Sequence, residues 1–529
     1  MDSHVVADQT AVFALLAAAE SHGGRAPVTR IDTHGAVVFL VGEDAYKVKR
    51  AVAFPFMDFS TLAKRKSACE REVALNRRHA PDLYLGVIPV YQTSGGLRLG
   101  GAEDPGCTPV EYVVHMRRFD ESQTLDLLAA SGLDTDLLAQ LATCVEDSHA
   151  AAERCPTFDF PAALTRIAGE NAADFAACPD LFPKAQADAL DQATRAALAR
   201  CRPLLERRAA QGFVRRCHGD LHLGNIVRIS GRPVLFDAIE FNDAIATCDV
   251  LYDLAFLLMD LWQRGLRREA NLLFNRYLWA ADQEAQYEGL DALPVFLSLR
   301  AAIRAKVIGA GLAHLAPDQV PSATATVRSY FALAQTLLVR PTARLVAIGG
   351  LSGTGKSTLA AAIAPDLGAA PGAVLLRSDV ERKRMNAVDE AERLSADRYS
   401  PEQTAAVYTR MRRRAAIALK AGHSVVADAV HAAPAERAAI AQTARAGGAR
   451  FDAIWLSAPV ELLKQRVSAR MNDASDATVA VVEAQADYDL GSMDWTNWDV
   501  SAGPADVARK VRSDLGLSAP KPVNTRPGT

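Results

Sequence analysis

The sequence has no long apolar run. Uninterrupted apolar stretches such as Leu254–Met259 are far shorter than the roughly 20 residues that a membrane-spanning helix needs. The apolar patch at residues 12–19 follows Asp2 and Asp8 rather than Lys or Arg, which favours an amphipathic first helix over a signal peptide. We therefore expect a cytoplasmic protein with no membrane partner.

The chain also has little net charge. Its 59 Lys and Arg residues and 62 Asp and Glu residues give −3 at pH 7. Nucleic-acid binding depends on strongly basic surfaces, so a nucleic-acid partner is not expected. The eight cysteines include no C-x-x-C pair, which favours free thiols in a reducing compartment over a disulfide framework. The composition leaves the oligomeric state open.

A chain of 529 residues exceeds what one hydrophobic core usually supports. Residues 28–119 alternate apolar and polar positions as strands do, with one helical interruption at Leu62–Arg78. Residues 122–338 are mostly helical in pattern. This order predicts an α+β bilobal domain over residues 1–340, with a small lobe at about 1–119 and a large lobe at about 120–340.

From Pro341 onward, apolar strands alternate with helices such as Pro401–Ala421, which indicates an α/β domain with a parallel sheet over residues 341–515. Residues 516–529 are rich in proline and polar residues, and we expect a disordered tail. The predicted strands are Leu345–Ile348, Val374–Leu376, Val425–Ala427 and Ala453–Leu456.

One phosphate-binding motif, G-x-x-x-x-G-K-S at residues 350–357, stands between a strand and a helix, as a P-loop requires. Backbone N–H groups would surround the phosphates, Lys356 would reach the β- and γ-phosphates, and Ser357 would bind Mg²⁺. The alternative is a glycine turn with a solvated lysine. The predicted nucleotide-binding residues here are Gly350, Ser352, Gly353, Thr354, Gly355, Lys356, Ser357 and Thr358.

Two acidic residues follow strands of the same domain, where parallel sheets gather ligands. Asp379 and Asp428 could each hold magnesium through water or take a proton from a hydroxyl, and each could instead cap the following helix. Arg466 and Arg470 lie four residues apart on a predicted helix, Val460–Arg470, and could close over phosphates or form a solvated face. The run Arg412–Arg414 is interpreted as surface.

Asp220, Asn225 five positions later, and Asp237 after a short hairpin have the spacing of a kinase catalytic loop and its metal-binding strand. Asp220 would take the hydroxyl proton, and Asn225 and Asp237 would hold Mg²⁺. Two alternatives are a zinc site, given the nearby Cys217, His218 and His222, and a turn with capping aspartates. Gly219 and Gly224 disfavour the helix that such a histidine pair needs.

Upstream, residues 45–49 read as a strand with Lys47 and Lys49 on one face. One of these lysines should pair with the nucleotide phosphates and with a glutamate of the next helix. Glu72 is the expected partner, with Glu70 as the alternative. We expect ATP, or alternatively GTP, with Mg²⁺ as cofactors.

The segment Arg377-Ser378-Asp379-Val380-Glu381-Arg382-Lys383 and the P-loop resemble the small P-loop kinases that include gluconate kinase, polynucleotide kinase and the zeta toxins. The likeness covers residues 344–510. It implies that Asp379 contacts or deprotonates an acceptor hydroxyl, and we assign Asp428 to the metal.

The N-terminal residues resemble the aminoglycoside phosphotransferase-like kinases, which include choline and sugar kinases. The closer match lies in residues 218–222, 236–243 and 249–255, and the whole chain looks like bacterial proteins that fuse such a domain to a P-loop kinase. Aminoglycosides are polycations, and their kinases tend to offer acidic pockets. The candidate acidic residues are Glu240, Asp243, Asp249, Asp253 and Asp260.

The sequence thus predicts a phosphotransferase with two nucleotide sites that acts on small hydroxylated molecules of the sugar, amino sugar or nucleoside type. One alternative keeps a single catalytic domain, with the other as a nucleotide-gated regulator or toxin-like module. Another is a nucleic-acid 5′-hydroxyl kinase.

Overall fold

The computed structural model describes residues 4–24, 27–54, 57–101, 107–390, 392–469 and 474–517. The chain forms two compact units: residues 1–133, 147–158 and 212–253 make the first, and residues 134–146, 159–211 and 254–529 make the second. The second unit contains helices that precede residue 340, so the predicted domain boundary there stays a prediction. Residues 518–529 of the predicted tail lie outside the described residues.

The strands of the described residues follow the predicted order, with a strand-rich region first and a parallel sheet later. They are β1 (Val28–Asp32), β2 (Ala36–Val41), β3 (Asp44–Lys49), β4 (Ala53–Phe54), β5 (Met57–Asp58), β6 (Tyr84–Thr93), β7 (Gly96–Leu99), β8 (Thr108–Arg117), β9 (Val214–Arg216), β10 (Ile226–Ile229), β11 (Arg232–Leu235), β12 (Thr247–Asp249), β13 (Arg344–Gly350), β14 (Val374–Arg377), β15 (Val425–Asp428), β16 (Arg450–Ser457) and β17 (Thr496–Asp499).

The helices dominate the middle of the chain and alternate with strands after residue 344. They are α1 (Thr10–Ala17), α2 (Leu62–Asn76), α3 (Leu125–Leu128), α4 (Thr135–Ala151), α5 (Phe160–Ala177), α6 (Lys184–Ala210), α7 (Asp243–Ala246), α8 (Val250–Gln263), α9 (Arg267–Ala281), α10 (Glu284–Gly289), α11 (Leu293–Gly311), α12 (Val320–Leu337), α13 (Lys356–Ile363), α14 (Ser378–Met385), α15 (Pro401–Lys420), α16 (Pro434–Ala446), α17 (Val460–Ser468), α18 (Val479–Ala486) and α19 (Pro504–Asp514).

The first unit is built on an antiparallel sheet with strand order β1-β2-β3-β8-β6-β7. Alternate residues of β2 enter two different cores, as a strand's period of two requires. Val37 and Phe39 pack with Leu16 of α1, whereas Leu40 packs with Val73 of α2. The strand-rich N-terminal architecture predicted from the alternating pattern is confirmed.

In the second unit, strands β14-β15-β13-β16-β17 form a sheet in that order, and every neighbouring pair is parallel. Strand β13 is buried from Leu345 to Gly350 because helices cover the sheet, and this part of its sequence has no polar side chain. Val346, Ile348 and Leu456 belong to the core of this sheet. The α/β fold with a parallel sheet is as predicted.

Of the helices in the described part of the chain, none combines the length and the apolar character that a membrane crossing requires.

Candidate active sites

The loop between β9 and β10 carries the first group of predicted residues. Asn225 Nδ2 donates hydrogen bonds to the Asp220 carboxylate oxygen Oδ2 and to the Asp220 carbonyl oxygen, both at 2.9 Å. Asp220 keeps 39% of its side chain exposed, and Asn225 is buried. The structure therefore places a solvent-facing carboxylate directly beside an amide side chain that can serve as a metal ligand.

Asp253 of α8 holds this loop in place. Its carboxylate accepts hydrogen bonds from the backbone N–H groups of His218, at 3.2 Å, and Gly219, at 2.9 Å, and it is completely buried. Gly219 has a φ of +84°, and a Cβ there would lie 2.9 Å from the Cβ of Ala246, so only glycine suits the position. The loop that presents Asp220 is thus fixed from behind by a buried anion.

The zinc interpretation is not supported within the described residues. His218 Nε2 bonds the carbonyl of Phe236 at 2.9 Å, and His222 Nδ1 accepts from the N–H of Gly224 at 3.0 Å. The one group with metal-ligand spacing found there is His149, Cys217 and Asp253. Asp253 already accepts two backbone hydrogen bonds, so this group is better explained as packing around the loop anchor.

Strand β3 directs Lys47 and Lys49 to the same side, as predicted. Lys47 Nζ lies 2.8 Å from Glu72 and 2.5 Å from Asp237, so the expected partner is Glu72. Glu70 is exposed and faces Lys66 instead. Burial alone would lower the pKa of Lys47, but Asp237 and Glu72 raise that pKa well above its ordinary value. Lys47 is therefore a permanent cation beside the predicted metal ligand Asp237.

Lys49 has a different setting from Lys47. It is 3% exposed and pairs with both Glu240 and Glu72. Burial raises the pKa of the Glu240 carboxyl, although Lys49 opposes the rise. Lys49 therefore works as a buried counter-ion, and Lys47 is the lysine placed to meet phosphates.

The acidic residues considered for an aminoglycoside pocket are each engaged within the fold. Glu240 pairs with Lys49, and Asp253 anchors the loop. Asp243 bonds Arg71 and Arg216, Asp249 accepts from the N–H of Leu251, and Asp260 accepts from Arg264. Each of these residues thus has a partner within the fold, and an acidic acceptor pocket built from them stays a prediction.

The second site forms where β13 runs through the P-loop into α13. Ser357 Oγ donates to Asp428 Oδ2 at 2.6 Å, and Arg377 donates to Ser357 Oγ at 3.2 Å. Lys356 Nζ donates to the carbonyl of Leu351 at 3.1 Å. The predicted metal ligands Ser357 and Asp428 therefore share one position at the end of β15.

Three P-loop glycines have distinct geometry. A Cβ on Gly350 would lie 2.5 Å from the carbonyl oxygen of Leu456, and one on Gly353 would lie 2.8 Å from that of Leu463. Gly355 has a φ of +86° with open space around it. The first two glycines allow close packing of the loop, and the third turns the backbone beside free space.

A cavity of about 790 Å³ opens in front of the P-loop and is lined by Lys356, Ser357, Asp379 and Asp428 together. Burial raises the pKa of the Asp379 carboxyl, as does neighbouring Asp428, while Arg377 and Lys356 oppose the rise. The structure thus gathers a cation, a metal-ligand pair and a second carboxylate around one space that can admit small molecules.

Arg466 and Arg470 were predicted to close over phosphates, and the structure tests only the first of them. Arg466 donates to the carbonyl of Val500 at 2.8 Å and does not line the cavity, so its predicted phosphate contact has no support in this geometry. Arg470 lies outside the described residues.

In the run Arg412–Arg414, which was interpreted as surface, Arg413 is exposed. Arg414 is buried and pairs with Glu381, so the surface interpretation is wrong for Arg414.

Two cavity residues were missed by sequence reasoning. Gln485 Oε1 accepts a hydrogen bond from the P-loop N–H of Ser352 at 2.8 Å, and no local signal marks it, since the partners are far apart in the chain. Arg382 lines the cavity, is 6% exposed, and stands over the ring of Tyr399 at 4.6 Å. Arg382 follows Asp379 by three residues on a helix, so a shared face was foreseeable.

The donor sets fit magnesium and a nucleotide in both halves. Hydroxyl, carboxylate and amide oxygens are ligands that Mg²⁺ prefers, and Ser357 with Asp428, and Asn225 with Asp237, supply them. The open space at Gly355 lies next to the N-terminus of α13, which attracts anionic groups. These residues would hold the metal and the phosphates when bound.

Two segments of the chain match known protein families. Residues 112–293 match the phosphotransferase enzyme family, and residues 345–488 match a family described as AAA domain. Uncharacterized proteins of Mycobacterium tuberculosis and Mycobacterium bovis are each 30% identical over 472 residues, covering 87% of this chain and 90% of theirs.

Similar solved structures cover one half at a time. A choline/ethanolamine kinase family protein from Mesorhizobium loti is 17% identical and covers 62% of this chain and 94% of its own, with a TM-score of 0.39. A gluconokinase from Sinorhizobium meliloti is 20% identical and covers 34% of this chain and 94% of its own, with a TM-score of 0.24.

The chain is a kinase that contains a domain of the phosphotransferase enzyme family, followed by a P-loop domain. Its identity with the mycobacterial proteins extends through both domains. The chain belongs to the family of these two-domain proteins.

Replacing each β3 lysine by methionine should separate stability from nucleotide binding. Lys49→Met leaves Glu240 buried without its cation, so we expect a loss of about 3–5 kcal/mol in the free energy of unfolding. Lys47→Met should cost less stability, because Asp237 is 41% exposed, but it should weaken nucleotide binding at the first site. Urea unfolding and nucleotide titration measure the two effects.

The exposed Lys64, replaced in the same way, serves as the control and should change neither property. Equal losses of stability in the Lys47 and Lys49 variants would contradict the separate roles.

The raised pKa of Asp379 predicts the pH dependence of the second site. As pH falls, this carboxylate takes up a proton at a higher pH than an ordinary aspartate with a pKa of 3.8, and its capacity to accept a hydroxyl proton is lost there. In a chain that carries Asp220→Ala, nucleotide turnover should therefore fall on acidification with a midpoint, the acidic limb of the pH profile, above pH 3.8. Arg377→Gln removes an opposing cation and should move the limb to higher pH. A limb at or below 3.8 would refute the assignment.

Proposed function

We propose that the protein is an ATP- and Mg²⁺-dependent kinase with two sites, each of which transfers the γ-phosphoryl group to a hydroxyl of a small molecule. The observation that supports it best is that Lys356, Ser357, Asp379 and Asp428 all line the same cavity. A cation, a metal-ligand pair and a candidate base around one space are the parts that phosphoryl transfer needs. ATP is the expected nucleotide, and GTP is the alternative.

In the first half, Asp220 would orient the acceptor hydroxyl and accept its proton, while Asn225 keeps that carboxylate in position through the 2.9 Å hydrogen bond. Lys47 would bind phosphate oxygens and is held for this by Glu72. Bound magnesium would supply charge neutralisation at Asn225 and Asp237. The protein's own contribution is therefore mainly positioning and electrostatics.

In the second half, Asp379 would accept the proton of the acceptor hydroxyl, because it lines the cavity and its raised pKa makes it a better base than an ordinary aspartate. Lys356 and the backbone N–H groups at the start of α13 would bind the phosphates. Ser357 and Asp428, already hydrogen bonded to each other, would hold the metal.

Arg382 supports an acceptor with an acidic group for the second site. Its guanidinium is buried, lines the cavity and, within the described residues, pairs with no carboxylate; its hydrogen bonds go to the carbonyl of Arg398 and the hydroxyl of Thr404. A buried cation without an anion is costly unless a ligand supplies one. Sugar acids, sugar phosphates and nucleotides have that chemistry, and the same feature would suit the terminal nucleotide of a nucleic acid.

A screen for acceptor-dependent ADP release tests the proposal, using the wild type, Asp220→Ala, Lys356→Ala and the double variant. The acceptors are sugars, amino sugars, sugar acids, sugar phosphates, aminoglycosides and nucleosides. Asp220→Ala should lower turnover of one acceptor class by about 10²–10⁴-fold, which is the usual contribution of a positioned acid or base. Lys356→Ala should lower turnover of the other class because it removes the cation that binds the phosphates, and the double variant should lose both.

If only one variant loses turnover while both halves still bind nucleotide, the reading with one catalytic half and one regulatory half replaces the two-enzyme proposal. A short oligonucleotide with a free 5′-hydroxyl tests the remaining alternative, which requires binding that weakens steeply with salt.

A further inference from the structure

Helix α9 lies along the open edge of strand β14. Among the strands of the described residues, β14 is the last one of its sheet, and no described strand pairs with its outer edge. Asn271 Nδ2 donates to the carbonyl of Ala373 at 3.0 Å, and Asn275 Nδ2 donates to the same carbonyl at 3.1 Å. The N–H of Leu375 donates to Asn275 Oδ1 at 2.7 Å. Two side chains of α9 thus satisfy the backbone groups that a further strand would pair with.

The contact extends one more turn along the same face of the helix. Trp279 follows Asn275 by four residues, and its indole N–H donates to the carbonyl of Leu375 at 3.1 Å. Asn271, Asn275 and Trp279 are 2%, 0% and 4% exposed, and Trp279 belongs to the core of the P-loop sheet. Buried amides persist where their hydrogen bonds are made, so this face of α9 is built for β14.

A second connection runs from α9 to the magnesium ligands. Arg276 pairs with Glu390, and Glu390 lies 3.6 Å from Arg377, the last residue of β14. Arg377 in turn donates to Ser357 Oγ at 3.2 Å and lies 3.4 Å from Asp428. Charged side chains therefore link Arg276 of α9 to the serine and aspartate of the P-loop site in three successive contacts, through Glu390 and Arg377.

A third connection ends at helix α14, which carries Asp379. Asp282 follows α9 in the left-handed region, with a φ of +49°, and its carboxylate pairs with Arg410 and Arg414. Both arginines also bind Glu381, which is completely buried two residues after Asp379. The strained backbone at Asp282 is thus retained where its side chain joins a buried ionic cluster.

We propose that α9 and Asp282, which lie within the phosphotransferase family match, are positioning elements of the P-loop active site. They fix β14, Arg377 and the start of α14, and thereby the places of Asp379 and the magnesium ligands. Arg276 is the positioning residue that acts through Glu390 and Arg377. The inference rests on the function proposed for the P-loop half, and it implies that residues 341–517 by themselves lack part of what holds their own site.

The test uses full-length chains with Asp220→Ala as the parent. The measurement is the Mg²⁺ concentration that gives half-maximal binding of a fluorescent ADP analogue at the P-loop site. Arg276→Ala should raise this concentration about tenfold, which is in the range typical for residues that support metal ligands. The signal of that site is the part lost in Lys356→Ala. Arg276→Lys should recover most of the effect, and Arg268→Ala, an exposed arginine on the same helix, should have none.

Hydrogen exchange supplies a readout that does not depend on the nucleotide. Asn275→Ala removes the acceptor of the Leu375 N–H, so this amide should exchange at least about fivefold faster, since a buried hydrogen bond contributes roughly 1 kcal/mol or more. Should that variant fail to fold, the amide is followed in Asn271→Ala, which removes a neighbouring bond to Ala373.

The two failures can be told apart. If the parent chain binds no Mg²⁺-dependent nucleotide at the P-loop, the proposed function fails, while exchange at Leu375 still decides whether α9 holds β14. If nucleotide binds but Arg276→Ala matches Arg268→Ala, or if Arg276→Lys is as impaired as Arg276→Ala at an unchanged melting temperature, the positioning role of Arg276 is overturned.

Discussion

A carboxylate that is withdrawn from water must be paired, and this constraint places the functional side chains in both halves of the chain. In the first half, Lys47 and Lys49 stand among Glu72, Asp237 and Glu240, and the strand that carries them is fixed by those pairs. In the second half, the same rule applies to Asp428, which is buried beside Ser357 and Arg377. The positions of the candidate site residues in each half thus follow from the pairing of buried charged side chains.

The sequence predicted what is local. The P-loop, the loop from Asp220 to Asn225 and the strands before Asp379 and Asp428 are continuous segments in which residue type and spacing specify the geometry. The pairing of Lys47 with Glu72 was also predicted, because it requires only a strand followed by a helix.

The sequence did not predict contacts whose partners lie far apart along the chain. Asp253 was considered for an acidic pocket, yet it binds the backbone 35 and 34 residues before it. Gln485 meets Ser352 across 133 residues, and Asn275 meets Leu375 across 100. Polar side chains on helices look solvated in a linear pattern, and only the fold shows that a helix face such as that of α9 is buried.

Some polar groups of the P-loop are hydrogen bonded within the protein itself. The N–H of Ser352 donates a hydrogen bond to Gln485, and Lys356 donates to the carbonyl of Leu351. In the function proposed for this half, phosphate binding at this loop would be an exchange of partners, and its free energy would be a difference between two sets of hydrogen bonds. A phosphate group bound here would have to replace both contacts, so its affinity would be lower than the number of its own hydrogen bonds suggests.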